Sequence, residues 1–363
     1  MAEPSHRSAF FRLHQFWTRT ETRIVAWVII AEVLDLVLSV LLRGLAADYR
    51  TGSTIGVLCR AIIGAVALGI AAYWLTRKQN PKVAAAAAFG GILLGALLGR
   101  LLADAGSSWA SNVQGWLQNA STLSLIGGPR GLATRLTLLV ALLGGSLAAG
   151  AGKHINIDVV SRHLPNKLVK PTAILGMALS ALVCVAASYG FTDSIAVTKY
   201  RADAFHNCAD GKGRCDTAFG YRMGVVAHGI SSDFFLFRRQ LVLDLASCSK
   251  VLVGVRYDTY LTATEWNEFI DQGDWSAHFV PSAVRGLKMP SDDPTATKMP
   301  AVVAPDTGEG RDLLIRDFDF VLPFGLLMIA CKFLLRLVLV VKGEIQLDAS
   351  DGTHEGAPKD MIA

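Results

Sequence analysis

The chain has 363 residues, of which 52% are hydrophobic and only 18% are charged. Because about 25% of the residues of a typical soluble domain are charged, this composition excludes an ordinary soluble protein and favours a membrane protein. The formal net charge of +5 is small for this length and gives no indication of nucleic-acid binding, so we expect the Lys and Arg residues to report membrane topology instead.

Six apolar segments are each long enough, or nearly so, to cross a bilayer as a helix, which takes roughly 20 residues. The third segment is rich in Ala and Gly, small residues that allow neighbouring membrane helices to pack closely. The six predicted membrane helices comprise residues 24–42, 53–75, 83–102, 132–151, 172–191 and 318–341.

Charged residues inside these segments are costly unless they are paired or face water. Glu32 and Asp35 are three residues apart and therefore share one face of the first helix. We predict pairing between helices that fixes the bundle; an ion or proton path is the alternative. The possible basic partners are Arg60, Arg100, Lys332 and Arg336.

The Lys and Arg residues of the short loops collect on one side of the membrane, which the positive-inside rule assigns to the cytoplasm. Both termini are therefore predicted to be cytoplasmic, and the first helix is expected to be a retained anchor because no small-residue cleavage site follows it. The predicted organisation is a cytoplasmic segment 1–23, a five-helix membrane region 24–191, an outer domain 192–316, a last membrane helix 317–342 and a disordered cytoplasmic tail 343–363.

Residues 192–316 have the mixed composition of a folded domain outside the membrane. The run from Val251 to Tyr257 predicts a strand, and the sequence from Thr262 to Glu265 fits a capping box that begins a helix. We therefore expect a small α+β domain here.

Three cysteines lie in this outer domain, where a bacterial periplasm would favour disulfides. Cys208 and Cys215 are the predicted pair, with Cys248 as an odd thiol or an alternative partner. A metal site is the other reading of this region, and its ligands would be His206, Cys208, Asp210 and Cys215. We expect neither a metal nor a cofactor.

The sequence has no phosphate-binding loop, no metalloprotease helix and no nucleophile elbow, so we expect no enzymatic activity. His154 and Asp158 are four residues apart and could pair as a general base and its orienting carboxylate. We favour the other interpretation, in which they belong to a polar loop at the membrane surface and to the start of the next helix.

The loop from Gly152 to Pro165 resembles the cytoplasmic-loop signature of the small permease subunit of tripartite ATP-independent periplasmic (TRAP) transporters, the DctQ-like family. The last membrane segment is similar to the final helix of that family. The matching positions are Gly152, His154, Ile155, Ile157, Asp158, Val159, Val160, Leu164 and Pro165 in the loop, Leu322, Pro323, Gly325, Lys332 and Arg336 in the last helix, and Arg135 and Gly144 in the helix before the loop.

The resemblance implies four family-like membrane helices, to which this chain adds a hairpin at 53–102 and an enlarged outer domain. It also implies a function: a scaffold subunit that packs against a large permease subunit in the bacterial inner membrane. In such transporters a periplasmic solute-binding protein delivers the substrate, typically an organic acid, and an ion gradient drives uptake. A membrane-anchored sensory or structural protein, whose outer domain binds a partner, is the alternative.

Overall fold

The computed structural model describes residues 8–46, 54–78, 81–101, 103–151, 165–207, 214–290 and 301–345. Regular structure in these residues is almost entirely helical. The helices are α1 (Ala9–Ala46), α2 (Thr54–Thr76), α3 (Pro81–Leu101), α4 (Ala103–Asn119), α5 (Gly128–Ala151), α6 (Asn166–Thr198), α7 (Phe219–Leu252), α8 (Ala263–Asp271), α9 (Pro281–Arg285), α10 (Ile315–Phe318) and α11 (Val321–Val341), with 3-10 turns at Thr122–Ile126 and Trp275–Ala277.

Six helical stretches in the described part of the chain are long and apolar enough to cross a membrane. They lie in α1, α2, α3, α5, α6 and the stretch Ile315–Val341, so the six predicted segments are confirmed. The chain therefore has the features of an all-α, multi-pass membrane protein. Helix α1 has 38 residues. At 1.5 Å per residue its length is about 57 Å, well beyond the roughly 30 Å of a hydrocarbon core.

The fold divides into two compact units. The first comprises Met1–Ala31, Arg135–Val226 and Arg316–Ala363, and the second comprises Glu32–Thr134 and Ala227–Ile315. In the first unit, helices α5, α6 and α11 share an apolar core. Its buried members are Ala149, Ala173, Met177, Ala181, Phe333 and Val340. Small residues on α5 and α6 let the larger side chains of α11 pack between them.

A second apolar cluster of the first unit lies at the end of α6. Ile195 and Ala196 pack there against Tyr200 and against Val226 of α7. The short strands β1 (Phe205–Asn207) and β2 (Arg214–Asp216) pair antiparallel between these helices, with Phe205 opposite Asp216.

In the second unit, α2 and α3 pack backbone to backbone along a row of glycines. A Cβ added to Gly95 would overlap the carbonyl of Gly64, and one added to Gly64 would overlap the carbonyl of Gly95. The predicted close packing of the Gly-rich third segment is thus found against the second segment, because neither helix presents a side chain at these positions.

Helices α4 and α7 of the second unit meet at the end of α1. Val113 of α4 and Val251 of α7 pack against Leu42 of α1. Polar contacts join the two helices as well: the Trp116 indole N–H donates to Ser247 Oγ at 3.0 Å.

The expectation of an α+β outer domain is not supported by the described residues, which contain only the two three-residue strands β1 and β2. The predicted strand at 251–257 is wrong, because Val251 and Leu252 form the last turn of α7. Gly254, with φ of 98°, then reverses the chain. Its N–H donates to Val251 O and the Val255 N–H donates to Lys250 O, a Schellman ending that any apolar run can adopt when a glycine follows.

The predicted capping box is confirmed at the start of α8. The Thr262 side chain accepts from the Glu265 N–H, and the Glu265 carboxylate accepts from the Thr262 N–H at 2.8 Å. The helix buries Trp266, which lies in one aromatic cluster with Phe269, Trp275 and Phe235. The cap therefore fixes the helix that carries part of this aromatic core.

This cap gives a prediction about acid stability. The hydrogen bond from the Thr262 N–H lowers the pKa of Glu265. Its contribution to folding is therefore present above the unfolded pKa of about 4.3 and is lost as pH falls through the folded pKa. We expect Glu265→Gln to reduce the dependence of the free energy of unfolding on pH in this range. Thr262→Ala should lower the free energy of unfolding by about 1 kcal/mol.

The measurement is amide hydrogen exchange of α8 against pH in both variants. Thr264→Ala is the matched control, because Thr264 is exposed in the same helical turn. Equal protection of α8 in the Thr262 and Thr264 variants would contradict the cap's role.

Candidate functional site

The loop from Gly152 to Pro165, which carries most of the positions of the family resemblance, lies largely outside the described residues. Gly152, His154 and Asp158 are among the residues 152–164 that are not described, so their predicted role stays a prediction. Pro165 directly precedes α6, where its carbonyl accepts from the Leu168 N–H at 2.8 Å. Pro165 therefore marks the start of the helix that follows the loop.

Lys332, in the middle of α11, is held by a buried ion pair in the first unit. Its Nζ lies 2.8 Å from Oε2 of Glu21, and the two side chains are 0% and 2% exposed. Lys332 is one of the predicted partners for the carboxylates of the first membrane segment, whereas Glu21 is not among those carboxylates. The described structure thus pairs Lys332 with a carboxylate that precedes the predicted membrane segment.

Neighbouring polar groups complete the coordination of both charges. The Trp17 indole N–H and the Ser146 hydroxyl each donate to Glu21 Oε1 at 2.7 Å. The Lys332 ammonium donates to Thr18 Oγ1 at 3.1 Å and lies 5.3 Å from the centre of the Trp17 ring. We call Trp17, Thr18, Glu21, Ser146 and Lys332 the ion-pair cluster.

Three helices contribute to the ion-pair cluster, namely α1, α5 and α11. A further contact of α11 to α5 lies beside it, where Arg336 Nη1 donates to the carbonyl of Gly150 at 2.8 Å. Gly150 also lies against the lysine stem, because a Cβ there would be at the ordinary contact distance of 3.5 Å from Cδ of Lys332. Both basic side chains of α11 thus reach the end of α5.

The chemistry of the ion-pair cluster favours a structural role, in which it holds helices together. Charges buried away from water are tolerated only with a partner and with hydrogen bonds to their remaining atoms, and both conditions are met for Glu21 and Lys332. Because the acidic and basic groups are on different helices, the pair joins α1 to α11, while Ser146 adds α5.

Arg135, at the opposite end of α5, faces an acidic residue that sequence analysis missed. Arg135 lies 3.9 Å from Asp319, which precedes α11 and which also lies 3.8 Å from Lys199. Beside them, the Tyr200 hydroxyl donates a hydrogen bond to the Asp317 carboxylate. The signal for Asp319 in the sequence is its place just before an apolar helix, where an acidic side chain can meet the basic start of α5.

The two motif positions of α11 lie at close helix contacts. A Cβ on Gly325 would lie 2.7 Å from Cδ1 of Leu142 on α5, and the carbonyl of Pro323 accepts from the Ser188 hydroxyl of α6 at 2.8 Å. Gly144 on α5 differs, because a Cβ there would meet nothing within 4 Å. Pro323 and Gly325 thus hold the first unit together, whereas Gly144 is exposed on its surface.

The remaining predicted charges of the membrane segments lie in the second unit. Arg60 is 3% exposed, and its Nη1 donates to the carbonyl of Leu45 at 3.1 Å. The suggested pairing of Glu32 and Asp35 with Arg60 stays a prediction. This contact of Arg60 with a backbone carbonyl joins α2 to the end of α1.

Cysteine placement is partly described. Cys215 is disulfide-bonded, whereas Cys59, Cys184, Cys248 and Cys331 are free. Cys208 and Asp210 lie outside the described residues, so neither the predicted Cys208 to Cys215 bond nor the alternative metal site is tested. Among the described residues, no group of three potential metal ligands comes together.

A polar network of the second unit lies under α7. Asp244 accepts from the Thr122 N–H at 2.7 Å and from Gln240 Nε2 at 3.0 Å. Gln240 also donates to the Ala120 carbonyl at 2.8 Å and accepts from the Val302 N–H at 2.7 Å. Burial raises the pKa of Asp244, and the hydrogen bonds from Thr122 and Gln240 partly offset that effect. This network fixes α7 against the segments around Thr122 and Val302.

No protein-family model matches the chain, and neither a curated protein nor a solved structure is detectably similar to it.

Proposed function

We propose that the chain is the small membrane subunit of a TRAP-type, ion-gradient-driven uptake transporter and that it serves as a scaffold for a large permease subunit. The observation that carries the proposal is that two residues of the α11 motif, Lys332 and Gly325, make contacts between helices. Lys332 joins α11 to α1 through Glu21, and Gly325 allows close contact with α5. A scaffold needs a membrane bundle that keeps one shape while its partner moves, and interhelical pairing of this kind supplies it.

The partners follow from the same proposal. A large permease subunit carries the substrate and coupling-ion sites, a periplasmic solute-binding protein delivers an organic-acid-type substrate, and this chain catalyses no reaction itself. The inner membrane is the location, with both termini in the cytoplasm. The enlarged outer segment then lies on the side from which the binding protein approaches.

Gly144 gives the proposal a specific interface. It is exposed in the middle of α5, and none of the described residues lies near a Cβ placed on it. An exposed glycine in a membrane helix permits the close approach of a helix from another chain. We assign the surface around Gly144 to the large subunit.

The test is co-purification of the affinity-tagged chain from native membranes in mild detergent, with the partner identified by mass spectrometry. We expect a very hydrophobic multi-pass protein in stoichiometric amount. A Gly144→Leu variant should lose most of this partner, roughly a tenfold decrease if about 1.4 kcal/mol of binding is lost. Its thermal stability in detergent should not fall, because leucine is a better helix former than glycine.

Gly325→Leu is the matched comparison, because the same substitution there overlaps Leu142 within the chain and should lower stability. If the chain purifies alone from native membranes, the proposal fails and a membrane-anchored protein with a partner-binding outer segment is supported. Full retention of the partner by Gly144→Leu would remove the interface assignment alone.

A further inference from the structure

Helix α7 carries an apolar stripe on its exposed face, although it is not one of the six membrane-crossing stretches. The stripe comprises Ile230, Phe234, Leu241, Leu245 and Leu252, which are 40%, 65%, 43%, 75% and 50% exposed. Their spacing follows the helical repeat, so they form one continuous line on the helix. Arg238 is the one charged residue at an exposed position between Ala227 and Leu252.

The buried face of α7 is mixed. Asp233, Gln240 and Ser247 are each 0% exposed, and Gln240 lies in the network with Asp244. The buried apolar residues of the helix include Phe235, Leu236, Leu243 and Val251. A helix on the surface of a soluble domain also buries apolar residues, but it carries charged residues outward. The arrangement in α7 is the one expected of a helix whose outer surroundings are apolar.

One end of α7 packs against the end of the apolar part of α1. Val251 packs against Leu42, which lies at the end of the apolar part of α1, and the neighbouring Val40 and Leu41 of α1 are exposed in the manner of lipid-facing residues. Leu252 and Val253 follow Val251 and are 50% and 81% exposed. The end of the apolar stripe therefore lies beside exposed apolar residues of a helix that is long and apolar enough to cross a membrane.

Two further side chains fit a position at the bilayer surface. The indole N–H of Trp109 donates to the Leu252 carbonyl at 2.9 Å, and its ring is 37% exposed. Tryptophan is enriched at the boundary between lipid and water, where its ring is apolar and its N–H is bonded. Arg238 is long enough to keep its charge among headgroups while its stem lies along apolar surface.

From these contacts we infer that α7 lies along the membrane surface, with the stripe Ile230 to Leu252 immersed in the interfacial layer of the lipid bilayer. This follows the behaviour of amphipathic helices that lie in the plane of the membrane. The outer segment is then attached to the bilayer by its longest helix, in addition to the membrane-crossing helices. The inference does not depend on the proposed transporter function.

The experiment is site-directed spin labelling of the full chain in vesicles of phosphatidylethanolamine and phosphatidylglycerol. The free cysteines Cys59, Cys184, Cys248 and Cys331 are first replaced by alanine. Labels at Phe234→Cys and Leu245→Cys sample the two halves of the stripe, and Glu268→Cys on α8 is the exposed control. Collision rates with oxygen, which concentrates in lipid, and with a water-soluble nickel chelate are compared.

We expect oxygen to relax the labels at 234 and 245 several-fold more than the nickel chelate does, and the control at 268 to show the opposite ratio. Dominant nickel access at both stripe positions would overturn the inference. Oxygen access at 245 with nickel access at 234 would also overturn it, because the helix would then rise away from the surface. If both labels become inaccessible to either reagent only when a co-purified protein is present, the stripe binds that protein and not lipid.

Discussion

Replacing Lys332 with methionine is expected to lower the free energy of unfolding by about 3–5 kcal/mol, the usual cost of removing one partner from a buried ion pair. Methionine has nearly the same length, so the change removes the charge and little volume. Glu21 is only 2% exposed, and its carboxylate would be left with hydrogen bonds from Trp17 and Ser146 but without a counter-charge. The measurement is SDS-induced unfolding of the purified chain in mixed micelles.

The complementary variant is Glu21→Gln, which keeps the acceptor oxygen for Trp17 and Ser146 and leaves the Lys332 charge unpaired. It should cost about as much as Lys332→Met by the same argument. The double variant should lose clearly less free energy of unfolding than the sum of the two single losses, because it buries no unpaired charge. The difference is the coupling energy between Glu21 and Lys332.

Lys342→Met provides the control, at the residue that follows the last residue of α11. Lys342 is exposed directly after α11 and lies 4.3 Å from the centre of the Phe10 ring, a contact expected to contribute at most about 1 kcal/mol. A loss no larger for Lys332→Met than for Lys342→Met would show that the buried pair does not hold α1 and α11 together. Additive costs in the double variant would lead to the same conclusion.

The ion-pair cluster shows where sequence reasoning was sufficient and where it was not. Lys332 was identified because a basic residue in the middle of an apolar helix needs a partner. Glu21 was missed because it precedes the apolar run that starts at Ile24 and was assigned to the cytoplasmic segment. Helix α1 begins at Ala9, so the polar turns before Ile24 and the apolar run after it form one helix. The sequence signal was the i, i+4 spacing of Trp17 and Glu21, which places a bonded carboxylate on one helix face.

Helix α7 shows the opposite failure. Its apolar residues are interleaved with Arg238, Arg239, Asp244 and Lys250, so it contains no uninterrupted apolar run of membrane-helix length. The mixed composition therefore predicts a domain outside the membrane. Residues 251–257, which begin with the last residues of this helix, are predicted as a strand because short apolar runs have no distinguishing period. Only the fold reveals that Asp233, Gln240 and Ser247 face inward and Phe234 and Leu245 face outward. Which face is buried depends on partners distant in sequence.

The Ala and Gly content of the third segment predicts close helix packing, and the contact between α2 and α3 yields the second large effect. Gly95→Leu should separate the two helices, because a Cβ at Gly95 overlaps backbone atoms of Gly64, which cannot rotate away as a flexible side chain would. The helix axes must move toward the about 8–10 Å separation that ordinary side chains require. We expect a loss of about 3 kcal/mol or more in the free energy of unfolding, at the upper end for overpacking substitutions.

Gly90→Leu in the same helix is the matched control, since a Cβ there meets nothing within 4 Å among the described residues. Both substitutions replace glycine by a better helix former, so the gain in helix propensity cancels in the comparison. Distance measurements by electron spin resonance between labels at the exposed positions Leu58 of α2 and Leu97 of α3 would report the separation directly. A Gly95→Leu variant with the distance distribution and stability of Gly90→Leu would mean that the glycine contact does not set the spacing of this hairpin.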